Sequence, residues 1–140
     1  MAARSPTLAT CFALALWLAL VLGCNAGRTT KPRPQLTSEH RTAIIKALKA
    51  KGYPEPDLEM SDTGFLVATF TLSAPPRQSL KGYAEDALMT IRNTMYPHDV
   101  KKNYNYRVTL NGPSPGPGMI RRYGVARYIE GDQVTWEPAN

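Results

Sequence analysis

Cysteine is almost missing from this 140-residue chain: it has Cys11 and Cys24, and no other follows. A domain built from the residues after Cys24 therefore has neither a disulfide nor a thiolate metal ligand of its own. Histidine is as scarce. His40 and His98 are far apart, and Glu39-His40 and His98-Asp99 repeat no ligand spacing, so no metal site is expected. Past residue 24 no apolar run approaches the ~20 residues of a membrane-spanning helix. Acidic side chains are the minority, 11 Asp+Glu against 17 Lys+Arg, a balance that favours acidic partners without identifying one.

Arrangements that carry chemistry are missing too. Gly112-Pro113-Ser114-Pro115-Gly116 matches the letters of G-x-S-x-G, with His98 and Asp99 as candidate partners for the serine. A nucleophile elbow needs a sharp turn from strand into helix, whereas prolines flank Ser114 and a strand follows. The same loop offers no helix N-terminus to a phosphate. Glu55, Asp57, Glu59 and Asp62 cluster in loop and turn, and Glu85-Asp86 lie on the polar side of a helix. These carboxylates read as solvated surface. The expectation is a chain with no catalytic residues, no metal and no cofactor.

What the chain does have begins at its start. Arg4 precedes a run from Leu8 to Leu22 that only Thr10 and Cys11 interrupt. A short basic start and an apolar run of about 15 residues describe a secretory signal, too short for a permanent span. The run ends in Val21-Leu22-Gly23-Cys24. This segment resembles the lipobox of bacterial lipoproteins: an aliphatic residue, a small residue, then the cysteine. The resemblance covers the leader alone. It implies that residues 1–23 are removed as a signal peptide, and that Cys24 is lipidated on sulfur and acylated on its new amino group. Two or more acyl chains anchor stably where one holds only marginally. Asn25 follows the cysteine. In Gram-negative lipoproteins an aspartate there marks inner-membrane retention, so the resemblance points to the outer membrane, facing the periplasm. Ordinary secretion, with cleavage after Ala26, is the alternative. Export in either form argues against a nucleic-acid partner.

Loss of residues 1–23 removes Arg4 alone among the charges, leaving net +5. Residues 24–36 are mostly polar, contain proline and show no period, so they read as the lipidated cysteine and a flexible tether. Fully extended, they reach roughly 40 Å at ~3.3 Å per residue. Residues 37–140 are expected to form a single domain, folding alone as a monomer.

Within it, residues 37–52 read as a helix that Thr37 or Ser38 caps and Gly52 ends, with Ile44, Ala47 and Leu48 on one side. Leu58 to Ser73 read as a hairpin about Asp62-Thr63-Gly64. A second helix follows, with Leu80, Ala84, Ala87, Leu88, Ile91 and Met95 at helical spacing and Pro97 ending it. Tyr104, Tyr106, Val108 and Leu110 alternate with Asn105, Arg107, Thr109 and Asn111, the mark of a half-buried strand. Residues 119–138 read as a second hairpin turning at Gly131-Asp132. That turn pairs Ile129 with Val134 and Arg127 with Trp136. It puts Tyr123, Val125, Ile129, Val134 and Trp136 on the core face, and Arg122, Gly124, Ala126 and Tyr128 on the other. The order α-β-β-α-β-β-β predicts an α+β two-layer sandwich, two helices on one face of a mostly antiparallel sheet of about five strands.

Basic and aromatic residues interleave near the end of the chain. Arg107, Arg122 and Tyr128 are the candidate binding residues, expected on the sheet face that the helices leave open. Arginine forks suit phosphate and carboxylate, and tyrosine suits a mixed interface. The leading expectation is a lipid-anchored envelope protein with a small non-enzymatic binding domain. Its partners would be the membrane, through lipid on Cys24, and a protein or anionic envelope polymer. A periplasmic inhibitor or immunity protein against a toxin or cell-wall hydrolase is the second expectation, which a neighbouring toxin gene would favour. A hydrolase using loop carboxylates is the third, which activity on cell-wall glycan would reveal.

Overall fold

The computed structural model describes residues 35–99, 104–129 and 133–140, without the side chains of residues 98 and 99. The leader, Cys24 and the tether up to residue 34 lie outside the described residues, as does the expected turn at Gly131-Asp132.

The Thr37 hydroxyl accepts the His40 N–H at 3.2 Å and starts helix α1 (Ser38–Ala50). The exit uses Gly52, whose φ of 83° is open to glycine, and there Tyr53 N–H returns to the Leu48 carbonyl. His40, Ile44 and Leu48 form the buried side of α1. Strand β1 (Asp57–Met60) then turns through Gly64, at φ 82°, into β2 (Phe65–Thr71). Helix α2 (Leu80–Asp99) follows, then β3 (Asn105–Pro113), β4 (Ile120–Tyr128) and β5 (Thr135–Pro138).

The five strands lie in the sheet in chain order. Because α2 carries the chain back between β2 and β3, that pair is parallel; the other three are antiparallel. The architecture is the expected α+β fold with an open sheet. Ile44 and Leu48 of α1 and Ala84, Leu88, Ile91 and Met95 of α2 share one core with Leu66, Phe70, Tyr106, Val108 and Leu110. Both helices therefore cover the same sheet face.

Two readings of the sequence are corrected. Helix α2 continues through Pro97 to Asp99. So close to the C-terminus, proline gives up one intrahelical hydrogen bond and disturbs only the final turn. The second correction is larger. The β4–β5 register pairs Ala126 with Trp136 and Arg127 with Thr135, one residue away from the expected alignment.

With that slip β4 shows, from Gly124 onward, the opposite faces from those expected. Ala126 is fully buried and pairs with Val108, while Tyr128 pairs with Tyr106 on the helix side. Gly124, opposite Leu110, is buried with them. Val125 and Arg127 point the other way, and Ile129 is exposed. Tyr123, Val134 and Trp136 do pack against the core, as expected. Tyr123 reaches it through a register shift at Leu110/Asn111, which opposes Asn111 to Arg122 and leaves Tyr123 as the extra residue.

Asp86 is exposed, as expected, and also ties two elements together. It accepts hydrogen bonds from the Tyr53 hydroxyl and from Lys51 Nζ, the latter at 3.0 Å. The tyrosine bond chiefly, with help from Lys51, holds its carboxyl below the usual carboxylate range. Burial first, then the nearby carboxylate, pushes the Tyr53 hydroxyl up. The group clips the end of α1 to the start of α2.

Candidate functional site: the open face of the sheet

Strand alternation decides which side chains face away from the helices. From β3 these are Arg107, Thr109 and Asn111; from β4 they are Arg127, Val125 and Arg122. Register sets them directly across from one another as Arg107↔Arg127, Thr109↔Val125 and Asn111↔Arg122. At ~3.4 Å per residue, the Arg107 and Asn111 positions stand roughly 13 Å apart. The patch has an arginine pair at one end, an arginine and an amide at the other, and a valine with a threonine between.

Its floor is apolar. Val67 and Val125 are only 5% and 7% exposed although no helix covers them. Long arginine stems provide such cover, since they lie along apolar surface and leave the charged head in water. The Arg107 guanidinium sits 4.7 Å from the Phe65 ring centre, a favourable cation–π arrangement. Arg127 meets Glu137 at 2.9 Å, so one charge of the pair is answered from β5. Arg122, Val125, Arg127 and Glu137 line a shallow basin that Pro138, Ala139 and Asn140 close at the edge of the sheet.

Two like charges directly opposite on neighbouring strands destabilise a sheet. Here Glu137 partly relieves Arg127, and Arg107 lies over an aromatic ring. Each arginine keeps donors for an incoming oxyanion, held on rigid strands that lose little freedom on binding.

Of the three residues expected in the site, the structure brings Arg107 and Arg122 to this face and places Tyr128 on the other. Tyr128 packs beside Tyr106, at 6.2 Å between ring centres, and lies 4.7 Å from the Arg92 guanidinium of α2. Its expected placement followed from the slipped register. The same slip hid Arg127, which sequence reasoning laid across Trp136. The signal that would have found it is the small-residue pair Gly124 and Ala126, which fits a strand face pressed under a helix.

Among the described residues no cluster of three or more His, Cys, Asp or Glu side chains is arranged to hold a metal ion, and no helix is long and apolar enough to cross a membrane. No family model matches the chain, and no curated protein or solved structure matches it either.

Proposed function

We propose that this chain is a lipid-anchored protein of the cell envelope, whose domain binds an anionic partner through the open sheet face. The observation that carries the binding part is the Arg107↔Arg127 pair set across β3 and β4, with Arg122 one patch-length away. The partner is an acidic protein surface or an anionic envelope polymer, either of which supplies carboxylate or phosphate oxygens to rigidly held guanidinium groups. The lipobox-like Val21-Leu22-Gly23-Cys24 carries the anchoring part. Lipid on Cys24 attaches the domain to a membrane, with the outer membrane, periplasmic side, as the location.

The two parts are tested separately. Intact-mass analysis of the protein from native membranes should show a chain that begins at Cys24 and carries acyl groups, and Cys24→Ser should accumulate as uncut precursor. An unmodified mature chain beginning at Gly27 would end the lipoprotein reading. For the face, the partner is first captured by mild crosslinking in native membranes. Exchanging Arg107 and Arg122 together for glutamate should then abolish its recovery. Exposed Arg122 should contribute little to stability. Arg107 also gives up its stem packing and its place beside the Phe65 ring, about 1 kcal/mol, which leaves the domain folded. Normal recovery with the double glutamate variant would reduce these arginines to surface decoration.

A further inference from the structure

Four large apolar side chains stand exposed among the described residues, and two of them adjoin: Met119 at 63% and Ile120 at 64%. They sit where the β3–β4 hairpin closes, followed at once by exposed Arg121 and Arg122. We infer that this hairpin tip is a membrane-contact element, which seats Met119 and Ile120 in the interface of an anionic phospholipid bilayer with Arg121 and Arg122 at the phosphates. This goes beyond binding at the open face, and it shares with that reading Arg122 and the proposed anchor at Cys24.

Three features of the tip suit a bilayer interface. The first is rigidity. Ser114 N–H reaches the Met119 carbonyl at 2.8 Å, and Met119 N–H reaches that of Gly116 at 3.2 Å. Pro115 and Pro117 fix two more backbone angles, and Gly118 takes the positive φ, 70°, that the turn needs. The apolar pair is therefore displayed at small entropic cost.

The second is a low desolvation penalty. Every unpaired N–H carried toward hydrocarbon is unfavourable. In the six-residue stretch from Ser114 to Met119, two residues are prolines without that group, and Ser114 and Met119 already donate within the turn.

The third is charge. Arg121 and Arg122 follow the apolar pair directly, and no acidic residue occurs in the chain between Asp99 and Glu130. Basic side chains next to an anionic surface each add to its attraction. A second copy of the chain fits the tip less well. Two side chains fall far short of the ~800 Å² per partner of a stable protein interface, and two such tips would repel.

Reach is sufficient. The span from Cys24 to Leu36 extends to roughly 40 Å, longer than the ~26 Å of β3. The tip can thus touch the surface whichever end of the domain the tether leaves.

The test uses full-length protein purified from membranes and placed on vesicles of phosphatidylcholine with or without phosphatidylglycerol. Amide hydrogen exchange is read across residues 114–122. Phosphatidylglycerol should slow exchange there by about tenfold or more. Replacing Met119 and Ile120 together by serine should remove the slowing, and Arg107→Glu should leave it intact. Equal exchange on the two vesicle types overturns the inference, as does slowing that survives in the double serine variant. So does protection in detergent that rises with protein concentration, which would assign the tip to a second copy. An unlipidated Cys24, read by mass, would instead count against the anchor and leave the exchange result standing.

Discussion

Phe70→Ala should lower stability by about 3–5 kcal/mol, enough to bring the melting temperature down by roughly 12 °C or more in a domain this small. Phe70 is fully buried in β2, and its ring centre lies 6.0 Å from that of Tyr53 and 6.1 Å from that of Tyr83. Tyr53 belongs to the exit of α1 and Tyr83 to the first turn of α2, so one side chain joins both helices to the sheet. Truncation leaves a void between three elements that cannot all close on it. Trp136→Ala provides the comparison. The sequence places Trp136 on the core face, but it is half-buried on an edge strand and should cost clearly less than Phe70. Thermal melting of the two variants checks the ranking. If Trp136→Ala proves the more damaging, the centre of the core is near β5.

Gly124→Ala is the second large effect, and here the smallest added group is the damaging one. A β-carbon at Gly124 would lie 2.4 Å from two ring atoms of Trp136 and 2.7 Å from the Glu137 carbonyl oxygen. A side chain can turn aside; a backbone carbonyl in a paired strand moves only with its strand. Overpacking of this kind costs about 1–3 kcal/mol. Removing the indole should recover part of that, so Gly124→Ala should be milder on a Trp136→Ala background than alone. This non-additive pair, measured as a double-mutant cycle by chemical denaturation, reads out the β4–β5 register directly. With Arg127 opposite Trp136, as the expected turn requires, the two substitutions would add independently.

That alignment marks where the sequence stops being legible. Tyr104 to Asn111 alternate apolar and polar without exception, so the inward face of β3 follows from the letters alone. Helix α2 is as clear, since Ala84, Leu88, Ile91 and Met95 recur at helical spacing and all end up buried. In β4 the inward residues are Gly124 and Ala126, too small to signal burial, while outward Val125 looks like core. The bulge beside Tyr123 then breaks the two-residue period in the middle of the strand. A period-two argument fails at such a point whatever care is taken. The candidate site inherited the fault. Arg107 sits on the legible strand and is placed correctly. Arg122 lies before the break and keeps its face. Tyr128 and Arg127 lie beyond it and trade places.

The two ends of the sheet carry a different consequence. An unpaired outer strand is a template on which other chains can stack, and the hazard grows when many copies share one surface. Strand β1 is four residues long, follows Pro56, and carries Asp57 and Glu59. Strand β5 is equally short and ends in Pro138, which has no N–H to offer a neighbour. Neither edge presents a long, flat, apolar ladder. If the proposed lipid anchor holds the domain in the plane of a membrane, it would meet its own copies often, and these brief charged or proline-stopped edges would let such encounters pass without fibre growth.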